Sequence, residues 1–121
     1  MPLITVSTSI KIKEKNLFMK DCSEILAKLT NKSEKYVMVR LFDQIPIYFD
    51  KDSDPACFID IKSIGAIDNS NMSVLLSDFI SEKLKIPTSR TYICFENVEA
   101  SNWAWDGNTL DDSKFLTLSV R

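Results

Sequence analysis

Apolar and polar residues alternate along Leu3-Ile4-Thr5-Val6-Ser7-Thr8, a run rich in β-branched types and with the period of a strand. The period then changes. Phe18, Cys22, Ile25, Leu26 and Leu29 recur at helical spacing, and Lys20, Asp21, Glu24 and Lys28 take the other side. This predicts an amphipathic helix over roughly 14–30. After a polar turn at 31–35, Tyr36-Val37-Met38-Val39-Arg40-Leu41-Phe42 reads as a second strand.

The same order repeats. Phe58-Ile59-Asp60-Ile61-Lys62-Ser63-Ile64 alternates as a strand, and Met72, Leu75, Leu76, Phe79, Ile80 and Leu84 form a second helical stripe. Asn69 or Ser70 is expected to cap that helix, and Lys83 and Lys85 suit the negative end of its dipole. Pro87 ends it by removing a donor. Thr91-Tyr92-Ile93-Cys94-Phe95-Glu96 then reads as a fourth strand. Leu3 to Val37 spans 34 positions, as does Phe58 to Tyr92, and the two units are offset by 55 residues. Between the halves, Pro46-Ile47-Tyr48-Phe49 is expected to be a short edge strand, since it begins with Pro, and 50–55 a solvated loop. Asp106-Gly107 is a turn signal. Phe115 to Arg121 alternates again, as a strand added to a neighbour's sheet edge would.

A β-α-β crossover joins parallel strands with a right-handed sense. The expected fold is therefore α+β: a tandem β-α-β repeat forming a four-stranded mixed sheet, with two helices on one face and short edge strands. It is a single domain over 1–121, with halves at about 2–50 and 57–110 and a C-terminal extension at 111–121. The face without helices is expected to carry Thr5, Val39, Ile59 or Ile61, and Ile93 or Phe95. A large apolar face of that kind predicts oligomerisation.

Composition narrows the chemistry. The 121 residues include 15 basic and 17 acidic side chains, a net charge of −2, and no His. Serine or cysteine triads built on His, and His-ligated metals, are excluded. The two glycines, Gly65 and Gly107, stand too far apart for a P-loop or a dinucleotide fingerprint. Cys22, Cys57 and Cys94 form no CxxC or zinc pattern and fit a reduced intracellular setting. No basic cluster points to nucleic acid, and no apolar run approaches the ~20 residues that span a bilayer. The first residues lack a basic stretch followed by a long apolar one, so no secretory signal is expected. One candidate base remains. With Met1 removed, Pro2 would carry a free secondary amine. Apolar burial and a nearby cation both favour the neutral form of an amine, and a neutral amine can move protons at pH 7. Pro2 can equally be no more than the first residue of an edge strand.

An ordered set of segments carries a resemblance. The chain opens Met1-Pro2-Leu3-Ile4 and has Asn31-Lys32-Ser33-Glu34-Lys35-Tyr36-Val37-Met38-Val39 before its second strand. Ser63-Ile64-Gly65 ends the third, Arg90-Thr91-Tyr92-Ile93 opens the fourth, and Asn102-Trp103-Ala104-Trp105-Asp106-Gly107-Asn108-Thr109 follows. Over residues 2 to 110 this resembles the macrophage migration inhibitory factor and D-dopachrome tautomerase family, of the tautomerase superfamily. The resemblance implies a homotrimer with active sites between adjacent subunits. It implies keto–enol tautomerase activity on phenylpyruvate-like α-keto acids and D-dopachrome-like compounds, with no metal or organic cofactor.

The resemblance also assigns roles. Pro2 would be the acid/base, Lys32 would bind the substrate carboxylate or carbonyl, and the Ile64 backbone N–H would hold a substrate oxygen. Tyr92 would reach the adjacent subunit's pocket, and Tyr36, Trp103, Trp105 and Leu110 would line the rim. Cys94 stands where the vertebrate proteins commonly carry Asn, and a thiol is the poorer hydrogen-bond donor. Leu110 replaces an aromatic residue, Asp50 and Lys51 replace glycines, and Cys57 has no CxxC partner, so no thiol-oxidoreductase activity is expected. The resemblance leaves a second reading: a cytokine-like signalling protein with a vestigial pocket and a protein receptor. The expected location is cytoplasmic, with export without a signal peptide as in the family's signalling members.

Overall fold

A computed structural model of the chain describes residues 1–115. Strand β1 (Pro2–Thr8) leads into helix α1 (Lys15–Thr30), which returns to strand β2 (Met38–Phe42). Strand β3 (Cys57–Ser63), helix α2 (Asn69–Leu84) and strand β4 (Thr91–Asn97) repeat the plan. The sheet order is β2-β1-β3-β4. β1 runs parallel to β2 and β3 parallel to β4, and the two units meet antiparallel through β1 and β3.

The helices are built alike. α1 buries Phe18, Cys22, Leu26 and Thr30, and α2 buries Met72, Leu76, Ile80 and Leu84. Each row recurs every four residues, which keeps one face on the sheet. Both helices end on a residue in the left-handed region, Asn31 at φ 52° and Lys85 at φ 57°. The α2 cap is Asp68, not Asn69 or Ser70: its carboxylate accepts the Asn71 N–H at 3.3 Å. Both expected caps lie inside the helix.

The register corrects the expected open face. Ile4, Val6, Ile59 and Ile61 are fully or almost fully buried, and Val39, Leu41, Ile93 and Phe95 pack on the same core beneath the helices. Of the residues expected on the open face, only Thr5 belongs to the alternate row. That row carries Arg40, Asp60, Lys62 and Glu96 among its members, with Lys62 paired to Glu96 at 3.4 Å. Its apolar members include Met38, Phe42 and Tyr92, all exposed. The face without helices is thus mixed, with apolar and charged residues interleaved along the strands, rather than the continuous apolar face expected.

The stretch 46–49 is not a strand. Gln44 and Ile45 donate to the Ile10 and Thr8 carbonyls at 3.0 and 3.2 Å, and Pro46, lacking an N–H, ends that pairing. Phe49 and Asp52 instead close a tight turn through two backbone bonds. Its inner residues, Asp50 and Lys51, take φ values of 51° and 65°. Arg90 holds this loop. Its guanidinium donates to the carbonyls of Pro55, Asp54 and Phe49, pairs with Asp52 at 2.9 Å and lies over the Phe49 ring. Near the C-terminus, Ser113–Phe115 forms a 3-10 turn rather than the start of a strand, and Phe115 is buried. The rest of the predicted final strand, 116–121, lies outside the described residues.

Candidate functional site

The site forms where β1 begins. Pro2 needs no N–H there and is buried, opposite Ser63 at the end of β3. Helix α1 ends nearby. The left-handed residue Asn31 turns the chain, and the next residue sends its side chain across: Lys32 Nζ donates to the Ile64 carbonyl at 3.1 Å. Lys32 and Ile64 are therefore joined, through the carbonyl of Ile64. The chain's α-amine, on Met1, feels this environment. Its pKa is lowered from 8.0 to about 5, by burial first and the Lys32 charge second.

Aromatic residues wall the space beside Pro2. A short ribbon pairs Ala104–Trp105 with Asn108–Thr109 across Asp106 and Gly107, whose φ values of 53° and 79° suit a tight hairpin. A 3-10 turn at Glu34–Tyr36, capped by the Ser33 hydroxyl, presents Tyr36 from the opposite side. Tyr36 meets Trp105 edge to face at 5.5 Å. Met1, Pro2, Tyr36, Trp103 and Trp105 all line one pocket of about 310 Å³.

Three candidates fall elsewhere. Leu110 is fully buried, so it is a wall beneath the pocket and not part of its rim. Its N–H donates to the Trp103 carbonyl at 2.8 Å, which pulls the side chain inward against Met1 and Phe115. Tyr92 and Cys94 are far from Pro2 in the same chain. Tyr92 pairs in register with Phe58 and, through it, with Ser7, five residues along β1 from Pro2. At about 3.3 Å per residue that is about 17 Å along the sheet, before crossing two strands. Tyr92 is exposed and packs edge-on against Phe49 at 5.1 Å. Cys94 lies on the same open face, beside Asp60.

Two residues near Pro2 escape sequence reasoning. The Ser63 hydroxyl is buried with no hydrogen-bond partner among the described residues. The sequence offers Ser63 only as part of the Ser63-Ile64-Gly65 segment, and the strand register, which sets it opposite Pro2, gives it a place at the site. Phe115 is buried and its ring lies 5.6 Å from that of Trp105. The alternating tail hides it by suggesting a strand. No group of three or more Cys, Asp or Glu among the described residues is arranged to hold a metal ion.

Two joined β-α-β units with both helices on one face, and a pocket at the start of the first strand, define an α+β protein of the tautomerase-like class. The family model described as macrophage migration inhibitory factor (MIF) matches residues 1–111, and the chain belongs to that family. Among curated relatives, the macrophage migration inhibitory factor homolog of Brugia malayi is 33% identical, over 90% of this chain and 98% of its own. The factor of Xenopus tropicalis is 30% identical over the same shares. Among solved structures, the homologue from Prochlorococcus marinus is 39% identical with a TM-score of 0.84, covering 88% of this chain and 97% of its own. That from Trichinella spiralis is 30% identical with a TM-score of 0.81, covering 88% and 98%. Membership of the family supports a tautomerase or cytokine-like function.

Proposed function

We propose that the chain is a cofactor-free keto–enol tautomerase of phenylpyruvate-like α-keto acids, accepting D-dopachrome-like compounds as a second class. The observation that carries this reading is the environment of the terminal amine, where burial and Lys32 lower the pKa to about 5. Removal of Met1 transfers the α-amine to Pro2, one residue further along the same buried strand. A neutral Pro2 nitrogen then takes a proton from the carbon beside the substrate carbonyl. The C–H electron pair becomes the C=C bond, and the carbonyl pair moves onto oxygen, which is protonated to the enol. The reverse path returns the proton to carbon, and nothing is oxidised or reduced. Lys32 binds the carboxylate as a point charge, and the aromatic walls hold the ring.

The working form is a homotrimer with sites between subunits. The distance of Tyr92 from Pro2 within one chain supports this, because only a second chain can bring Tyr92 to the pocket. The test joins intact mass with conversion of enol to keto phenylpyruvate on one sample. Processed protein should show saturable conversion, and Pro2→Gly should lose about 10²-fold or more, as expected for loss of a positioned acid/base. Processed protein with no conversion above buffer overturns the reading. Receptor binding that survives Pro2→Gly would then favour the cytokine-like role.

A further inference from the structure

Met1 occupies a place that a substrate needs. Its side chain is only 6% exposed and packs in a small apolar cluster with Leu110 and Phe115, flanked by Tyr36, Ile64 and Trp103. This cluster is separate from the main core under the helices. Cutting the Met1–Pro2 bond removes that side chain and opens a space of its size. The new amine lies at one end of the space, and the Ile64 carbonyl that anchors Lys32 lies beside it. Among the described residues the walls include the side chains of this cluster, one of them the Phe115 ring, tilted at 45° against Trp105. Trp105 already lines the Pro2 pocket. Phe115 thus joins the pocket to the space beneath it.

The family match ends at residue 111, so Phe115 belongs to a segment outside it. Leu110, the neighbouring wall, has no ring. We propose that Phe115 is a specificity-determining residue, forming the aromatic end of the pocket that removal of Met1 opens and selecting ring-bearing substrates over aliphatic ones. The inference rests on the proposed tautomerase site and names what that site prefers. A flat, polarisable ring replaces the Met1 thioether between Leu110 and Phe115, and an aromatic pair adds to the area it buries. A short aliphatic α-keto acid reaches Lys32 and Pro2 without touching Phe115.

The test compares processed full-length wild type, Phe115→Ala and Phe115→Leu. Phe115 lies outside the main core, so both variants should fold, and a melting curve checks this. The first readout is binding of 3-phenylpropanoate, which cannot tautomerise, followed by fluorescence of the two tryptophans. Affinity should fall about tenfold in Phe115→Ala and less in Phe115→Leu, which fills space without a ring. The second readout is turnover. KM for phenylpyruvate should rise in the same order with kcat little changed, while KM for 2-oxobutanoate stays constant. Wild type that fails to bind 3-phenylpropanoate overturns the inference. So do equal affinities in the three proteins, or a lowered melting temperature without an affinity change. Ring binding that depends on Phe115 in a protein without turnover would sustain the pocket and overturn the tautomerase reading alone.

Discussion

Replacing Lys32 by Ala separates the two jobs that the proposed mechanism assigns to one charge. At pH 7 an amine of pKa 8.0 is about 9% neutral, and one of about 5 is about 99% neutral. Lys32 is the smaller of the two causes of this displacement, and burial is the larger. Its loss should raise the pKa of the amine while burial, the larger cause, keeps most of the displacement in place. At pH 7 protonation alone then costs little of kcat/KM, because burial still favours the neutral amine. Any larger fall is lost carboxylate binding, and it should appear mainly in KM. The assay is kcat/KM for enol phenylpyruvate between pH 4 and 9, on processed protein. Wild type should lose activity through an acid limb centred well below 8, and Lys32→Ala should shift that limb upward. A wild-type limb near 8, or an unmoved limb in Lys32→Ala, would refute the reasoning.

Other perturbations read other parts of the molecule. Arg90→Ala should cost about 1–2 kcal/mol and a few degrees of melting temperature, because the loop at 49–55 loses three carbonyl bonds and an ion pair. Arg90→Lys should not restore it, since an ammonium lacks the guanidinium fork. Burial pushes the Cys22 and Cys57 thiols from 9.0 up to about 12, so neither should react with a water-soluble disulfide reagent until the chain unfolds. The unfolded chain releases those protons first, so stability should fall as pH rises from about 9 towards 12, in a melting series at alkaline pH.

Much of this fold is legible because each element has one strong period. Phe18, Cys22, Ile25, Leu26 and Leu29 can share a face only in a helix, because a strand would set Ile25 and Leu29 opposite the other three, and the alternation in β1 and β3 suits only strands. What alternation does not reveal is which row meets the helices. Alternation allows Val39, Ile59 or Ile61, and Ile93 or Phe95 on the open face, and the register turns all of these inward, where the apolar area is. Asp68, Asn69 and Ser70 are all good caps, and only the backbone geometry at Asp68 decides among them. At the site, the spacing of Trp103, Trp105, Asp106 and Gly107 reveals an aromatic hairpin, because the turn demands particular residues. The separation of Tyr92 from Pro2 is set by strand order and direction, which local pattern does not carry. Phe115 was masked by a periodicity that its turn does not follow.

The repeat itself has a consequence for where chemistry can sit. β1 and β3 are both seven residues long and begin 55 residues apart, so Cys57 opens its unit as Pro2 opens the first. Doubling a β-α-β unit can copy a turn, a helix cap or a pocket wall. It cannot copy a chain terminus. Cys57 is held between two peptide bonds, and its backbone nitrogen is an amide that takes up no proton at neutral pH. On the proposed mechanism a Pro2 amine freed by loss of Met1 would make two architecturally similar halves chemically unequal, while the corresponding position of the second half, the buried Cys57, serves packing.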